Sequence, residues 1–227
     1  MRPFYAGVGG YDHLIEDAEN KHAELYVFVN RGSLFSISDH KTIGAQQLGD
    51  GSIYVRAYRV TDEDWQQTCA YDIKNGVEVK QALGKEHADG AEPLSKLVLV
   101  AKDTDIASRS FYMFPIGHRW EHYLKVSLIG DAAHLMPPYT GEGIDVAMKD
   151  AVELAQAIIR SAETEDLQKS VDTNVKTFKE EMFSRATSEQ ERSYSDKELI
   201  FFPPGAPYST IHIWLRNNAM GTGAIWA

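Results

Sequence analysis

Residues 24 to 60 alternate between apolar and polar side chains with the two-residue period of a β-strand. The alternation falls into four runs, ELYVFVN, SLFSIS, KTIGAQQL and GSIYVRAYRV, which are separated by glycine, asparagine and aspartate turn signals. The pattern therefore predicts an antiparallel meander. Its last run places three apolar residues on one face and two tyrosines and an arginine on the other, namely Ile53, Val55 and Ala57 opposite Tyr54, Arg56 and Tyr58. We expect the first face to be packed and the second to line a ligand cavity or to be solvated.

The rest of the chain is dominated by helical spacing. Residues 61–101 have the capping residues and apolar periodicity of helices, and two strand-like runs follow at 108–115 and 125–129. Apolar residues three and four positions apart predict a helix from about 141 to 162 and a more polar helix from about 170 to 197. The last segment, LIFFPPGAPYSTIHIWLRNN, indicates a proline-broken loop before a short aromatic helix. Together these elements predict an α+β fold in one compact unit.

Composition and charge narrow the possible partners. The formal net charge is −10 and no cluster of lysine and arginine is present, which argues against nucleic acid and anionic membrane surfaces as partners. No apolar run approaches the roughly 20 residues of a membrane helix. Cys69 is the only cysteine, and the histidines lack metal-ligand spacing, so we expect no disulfide, no metal and a cytoplasmic location.

A glycine cluster near the start invites a dinucleotide-binding interpretation. The fingerprint needs a buried strand before it, three glycines spaced as G-x-G-x-x-G, and a helix after it. Gly7-Val8-Gly9-Gly10 has only six residues before it, and Asp12 stands where the third glycine would be required. The cluster therefore predicts a turn and no phosphate site.

Residues 125–155 carry the strongest chemical signal. The apolar run KVSLIG ends in Gly130-Asp131, which places a carboxylate at the end of a strand. Pro137-Pro138 stiffen the following loop, and Gly141 and Gly143 open a helix whose first N–H groups are free to bind a ligand. The segment therefore predicts a turn that binds the polar edge of a ligand.

The order of these residues resembles the GD motif of the class A flavoprotein monooxygenases, which include the aromatic hydroxylases and the tetracycline-inactivating enzymes. The matching residues are Gly130-Asp131-Ala132-Ala133-His134, Pro137-Pro138, Gly141-Glu142-Gly143, Asp145 and Asp150-Ala151. A weaker resemblance covers the whole chain, in which residues 1–120 would form the substrate-binding sheet and helices. Residues 121–227 would be the remnant of the FAD-binding region with the C-terminal helices.

The resemblance implies roles for individual residues. If flavin binds, Gly130 and Asp131 would hold its ribityl chain, and the amides of Gly141 to Gly143 would face the pyrimidine edge of its ring. Tyr54, Tyr58, Pro138, Gly141 and His134 would border the substrate. For His134 a structural role within the motif is the expected alternative.

Two departures from the family pattern bear on the chemistry. The family holds the ADP half of FAD with an N-terminal Rossmann βαβ unit, and this sequence begins after the place where that unit would stand, which predicts a truncated form of the fold. The family's Gln and Asn are replaced by Glu142 and Asp145. Unit charges about 4 Å apart interact by roughly 4 kcal/mol at an effective dielectric constant near 20, so these carboxylates would oppose flavin reduction. Alternatively, they only complement the helix dipole.

Three functional hypotheses follow. The first is a flavin-free enzyme that binds a hydrophobic polyketide-, terpenoid- or alkaloid-like intermediate and catalyses cyclisation, isomerisation or pericyclic closure. Its acid/base groups would be Glu142 and Asp145, with Arg56 polarising the substrate. The second is the C-terminal part of an FAD-dependent monooxygenase, completed by a complementary flavin-binding chain. The third is a non-catalytic small-molecule binding protein; each could form a homo-oligomer.

Overall fold

The computed structural model describes residues 1–162, 167–206, 209, 210, 212, 213 and 216. The fold mixes helices with a five-stranded sheet, as predicted. Its elements in chain order are β1 (Phe4–Ile15), α1 (Ala18–Lys21), α2 (Ala23–Val29), β2 (Ser33–Ser38), β3 (Lys41–Gln47), β4 (Ile53–Val60), α3 (Trp65–Thr68), α4 (Gly76–Glu86), α5 (Glu92–Leu99), β5 (Ala107–Met113), α6 (Asp131–His134), α7 (Gly143–Ser161) and α8 (Leu167–Phe201). Within the described ranges, no helix is long and apolar enough to cross a membrane.

The sheet has the strand order β2-β3-β4-β1-β5, and the pairs β2–β3, β3–β4 and β4–β1 are antiparallel. Helices α2 and α5 pack against β3 and β4. The apolar residues of β4, Ile53, Val55 and Ala57, are at most 2% exposed. The two-faced pattern predicted for this strand is therefore confirmed, because its other three side chains are only partly buried.

Two sequence predictions in the first 60 residues are wrong. Residues 24–30 form most of α2 and not a strand, because Leu25 and Val29 lie one helical turn apart and are both buried, whereas Val27 is exposed. Gly7 to Gly10 lie inside β1 and do not form a turn. A Cβ atom at Gly10 would lie 2.0 Å from the carbonyl oxygen of Ala57, so glycine there allows β1 to approach β4 closely.

The strand expected at 125–129 is also absent. Only an isolated bridge between Tyr123 and Val126 forms there, and the side chains of Val126 and Leu128 are 61% and 42% exposed. An extended segment needs a neighbouring strand to satisfy its N–H and C=O groups. No such strand pairs with this segment in the part of the chain that the structure describes.

The helical predictions agree better with the structure. Residues 61–101 contain α3, α4 and α5, and Asn75 caps α4 by accepting hydrogen bonds from the Val77 and Glu78 amides. The helices α7 and α8 occupy the ranges expected for the two longer helices. A core cluster joins them to α6, and its buried members are Ala133, Ala157, Phe178, Met182 and Phe183. Most of the aromatic helix expected after residue 206 lies outside the described residues.

The chain divides into two compact units. Of the described residues, the first contains Met1–Ala6, those in the range 112–198 and Arg216, and the second contains Gly7–Phe111 and those in the range 199–213. The expected division after residue 120 stays a prediction, because packing does not say which part would bind a substrate and which a cofactor.

Candidate functional site

The first unit holds the glycine–aspartate turn in a conformation that only glycine adopts readily. Gly130 has φ 60° and ψ −146° and precedes the short helix α6, whose amides at Ala133 and His134 donate to its carbonyl. A Cβ atom at Gly130 would lie 3.3 Å from the Cβ atom of Ala147 in α7. The positive φ therefore favours glycine at this position, and the contact with α7 leaves little room for a Cβ atom.

A buried carboxylate holds this turn against α7. Asp150 is fully buried, and its Oδ2 atom accepts from the Gly130 amide at 3.0 Å and lies 2.6 Å from Nε2 of His134. Arg185 donates to Oδ1 at 2.8 Å. Burial raises the pKa of Asp150, but hydrogen bonds from His134, Arg185 and the Gly130 amide outweigh this effect and hold the pKa below its usual range. His134 is 4% exposed and contacts α7, so its position fits the structural alternative, and substrate contact stays a prediction.

The loop after α6 leaves its glycines facing open space. The Pro137 carbonyl accepts a hydrogen bond from Ser193, whereas Pro138 is exposed. A Cβ atom at Gly141 or Gly143 would meet nothing within 4 Å, although Gly141 also has a φ of 75°. Packing among the described residues therefore gives no reason for glycine at 143, and a ligand close to the backbone would supply one.

The start of α7 completes this surface. The first amides of a helix have no intrahelical partner, and at α7 no side chain of the N-cap residue binds them. Asp131 lies exposed in the first turn of α6. An exposed carboxylate, open glycines and free helical amides fit a ligand with hydroxyl groups and a flat ring whose edge accepts hydrogen bonds. The residues that the family resemblance assigns to flavin therefore fit that group.

The two carboxylates assigned to acid/base catalysis are accessible to solvent. Asp145 is exposed and Glu142 is partly exposed, and neither forms an ion pair with a described residue. The Glu142 amide donates to Oγ1 of Thr140 at 3.3 Å. No residue described in the first unit removes these carboxylates from water, so their catalytic role stays a prediction.

The second unit carries the predicted aromatic and arginine face of β4, together with two residues that the sequence did not reveal. Asp12 of β1 is 5% exposed, and its carboxylate accepts from the Tyr58 hydroxyl at 2.5 Å and from Nε of Arg109 at 2.6 Å. Burial first, and then the hydrogen bond to Asp12, raises the pKa of Tyr58. Asp12 and Arg109 are 97 residues apart. The sequence does contain one sign of the role of Asp12, because a carboxylate within the otherwise mostly apolar run of β1 needs a polar partner when it is buried.

Arg56 lies on the same strand face. Its guanidinium carbon is 5.9 Å from the centre of the Tyr54 ring, and the cross-strand neighbours of Arg56 are Asp12 and Gly44. Burial raises the pKa of Tyr54, and its interaction with Asp12 adds to this shift. The structure thus brings Tyr54, Arg56 and Tyr58 together, as predicted.

A cavity elsewhere in the first unit is lined by none of the predicted site residues. The cavity, of about 220 Å³, is lined by apolar and polar residues in equal number, and among the polar ones His122 and Asp172 lie 2.7 Å from each other. Among the described residues, no group of three or more histidines, cysteines, aspartates or glutamates could hold a metal ion.

Comparison with known proteins bears on the first unit in particular. Residues 102–186 match the family model of the FAD binding domain. The monooxygenase asqM of Emericella nidulans is 35% identical over 79 residues, which are 32% of this chain and 18% of that protein. The 2-heptyl-3-hydroxy-4(1H)-quinolone synthase of Mycobacteroides abscessus is 51% identical over 47 residues, which are 21% of this chain and 12% of that protein.

Solved structures extend the likeness to the whole fold. Klebsiella pneumoniae HpxO, in complex with FAD and uric acid, has a TM-score of 0.71 and 18% identity. The similarity covers 98% of this chain but only 51% of the HpxO chain, so the chain spans about half the length of that protein. Over residues 102–186 the chain is therefore similar to the FAD binding domain family, and its fold resembles about half of an enzyme solved in complex with FAD.

Proposed function

We propose that this chain supplies the flavin-ring half of the cofactor site and the substrate sheet of an FAD-dependent monooxygenase that acts on a hydrophobic small molecule. One observation carries the proposal. The Gly130–Asp131 turn is fixed by the buried Asp150 beside an uncapped helix, with open space at Gly143, inside the segment that matches the FAD-binding family. We therefore favour the FAD-dependent hypothesis over the flavin-free one, because this surface fits the ring and ribityl chain of a flavin.

The residues would divide the work as follows. Asp131 would accept hydrogen bonds from the ribityl hydroxyls, and the amides of Gly141 and Gly143 would donate to the ring edge. Bound FAD would supply the redox chemistry that transfers one oxygen atom from O₂ to the substrate. Tyr54, Tyr58, Pro138 and Gly141 would contact the substrate.

The remaining part of the cofactor site would come from a complementary flavin-binding segment. Exposed apolar side chains support a partner surface on the first unit. On α7, Ile144, Met148, Val152 and Ile159 are between 56% and 74% exposed and follow one another at helical spacing. The segment at 124–128, which lies in none of the strands of the sheet, adds Leu124 and Val126, both more than 60% exposed. A partner strand and an apolar sheet surface would cover both features.

Flavin fragments test this proposal directly. Because only the ring and ribityl contacts are assigned to this chain, riboflavin and FAD should bind weakly and with dissociation constants within about twofold of each other. Quenching of flavin fluorescence measures both. Asp131→Ala should weaken both about tenfold, by loss of a charge-assisted hydrogen bond, while the exposed control Asp62→Ala leaves them unchanged. The absence of riboflavin binding up to its solubility limit would overturn the flavin role.

A second candidate is a flavin-free enzyme for a non-redox cyclisation or isomerisation of a natural-product intermediate. The observation that favours it is the pair of carboxylates, Glu142 and Asp145, at the first turn of α7. Glu142→Gln and Asp145→Asn remove the charges at almost unchanged volume. If these groups transfer protons, turnover should fall by about 10²-fold or more with ligand affinity retained. If they only oppose flavin reduction, the same variants should instead bind reduced riboflavin more tightly relative to oxidised riboflavin.

The cellular setting is part of the proposal. Cys69 is a free thiol, so neither candidate needs an oxidising compartment, and we assign both to the cytoplasm.

A further inference from the structure

The strand β2 forms one edge of the sheet, and its sequence does not protect that edge. Among the described residues, its hydrogen-bonded neighbour in the sheet is β3 alone. The strand reads SLFSIS and contains no charged residue and no proline, whereas edge strands that stay unpaired usually carry such residues. The outer side of β2 therefore has the sequence of a strand that can accept a further strand.

The hydrogen bonds to β3 determine which backbone groups of β2 face outward. The Gln47 amide donates to the Gly32 carbonyl at 3.1 Å, so these two residues form a hydrogen-bonded pair that continues the register of β2 and β3. In an antiparallel ladder such pairs alternate with pairs that make no hydrogen bond. The N–H and C=O groups of Ser33, Phe35 and Ile37 therefore point away from the sheet.

These outward-facing residues are complementary to the same residues of a second copy. If two β2 strands pair antiparallel about a two-fold axis at Phe35, the two Phe35 residues lie opposite each other and each Ser33 lies opposite an Ile37. This arrangement forms about six backbone hydrogen bonds between the copies and joins their sheets into one. A shift of the register in either direction would leave Ser33 or Ile37 without a strand partner.

The side chains favour the same register. Phe35 is 70% exposed because its neighbour on β3 is Gly44, which offers no side chain to pack against, and a second Phe35 would cover it. Arg31 precedes β2 and Asp39 follows it; both are exposed, and neither belongs to an ion pair among the described residues. Because both lie equally far from Phe35 along the chain, the axis brings Arg31 of each copy to Asp39 of the other.

We propose that two copies of this chain form a homodimer by antiparallel pairing of their β2 strands, centred on Phe35. One pair of short strands is a small interface, so the dimer is weak, with a dissociation constant on the order of tens of micromolar. The assembly goes beyond the proposed function and does not depend on it, since β2 belongs to the second unit, whereas the flavin surface and the apolar side of α7 belong to the first.

Sedimentation velocity of the full chain, at concentrations from about 1 to about 200 µM, measures the assembly. Phe35→Lys places two ammonium groups side by side at the axis and should weaken the dimer by at least about tenfold. Val27→Lys is the matched control and should change nothing, because Val27 is 73% exposed on α2 of the same unit. A wild-type chain that stays monomeric over this range, or a Phe35→Lys variant that dimerises as the wild type does, would overturn the proposal.

Reversal of the charges tests the register. Arg31→Asp places two carboxylates together at each end of the strand pair, and Asp39→Arg places two guanidinium groups there, so each variant should weaken the dimer by at least about threefold. The double variant restores opposite charges and should return the dissociation constant to within about twofold of the wild type. A structural effect of either substitution would not be reversed by the other. Single variants that dimerise like the wild type, or a double variant in which the two losses add, would rule out pairing centred on Phe35.

Discussion

At the scale of single residues, Asp150 has the clearest structural effect. It is fully buried, holds the Gly130 amide and His134 with one oxygen, and binds Arg185 with the other. Asp150→Asn keeps the shape but removes the charge, which leaves Arg185 without its buried partner. Removing one member of a buried ion pair typically costs 3 to 5 kcal/mol, so we expect the free energy of unfolding to fall by roughly 3 kcal/mol. Urea unfolding at neutral pH measures this loss.

The neighbouring Glu153 is the control for Asp150. Its carboxylate also forms an ion pair with Arg185, with Oε2 2.8 Å from Nη1, but the side chain is partly exposed. Glu153→Gln should therefore lower the free energy of unfolding by less than about 1 kcal/mol, as for exposed ion pairs. If Asp150→Asn were no more destabilising than this control, the turn would not depend on the buried carboxylate, and the argument for a preformed flavin site would lose its basis.

At the scale of secondary structure, local periodicity predicted those elements whose pattern has one interpretation. The faces of β4 and the ranges of α7 and α8 agree with the sequence because their apolar spacing fits a single period. The run at 24–30 fits two periods at once, since Leu25, Val27 and Val29 alternate while Leu25 and Val29 are also one helical turn apart. Only packing decides such a case. The run at 125–129 failed for a different reason, because a strand requires a partner that no local pattern supplies.

In the candidate site, too, the sequence predicted residues that lie in one contiguous motif but not residues that are brought together by the pairing of strands. The Gly130–Asp131 turn and the open glycines before α7 follow from a contiguous motif, and the sequence therefore located them. Asp12 and Arg109 could not be linked in this way, because their hydrogen bond joins strands 97 residues apart and depends on register across the sheet. The sequence predicted the tyrosines and Arg56 of the central strand, but not the carboxylate beside them.

At the scale of the whole molecule, two buried histidines tie stability to pH. His13 and His87 are 1% and 6% exposed, and burial lowers the pKa of each to about 4. Both ring nitrogens of His13 lack a hydrogen-bond partner among the described residues. In the unfolded chain these histidines bind a proton near their usual pKa of about 6.5. The unfolded state therefore binds more protons between pH 6.5 and 4, and the folded state loses stability as the pH falls through this window.

Each histidine should contribute up to roughly 3 kcal/mol of this loss, since one pKa unit corresponds to about 1.4 kcal/mol. Urea unfolding followed by circular dichroism at pH 7, 6 and 5 measures it, and His13→Leu should flatten the curve because the leucine does not titrate. The exposed His212→Gln should leave the pH dependence as in the wild type. The low pKa of Asp150 acts at more acidic pH than this window, so the two effects are separable. If the His13→Leu and wild-type curves were parallel from pH 7 to 5, His13 would take up its proton in the folded protein over the same pH range as in the unfolded chain, and its burial as a neutral side chain of β1 would be wrong.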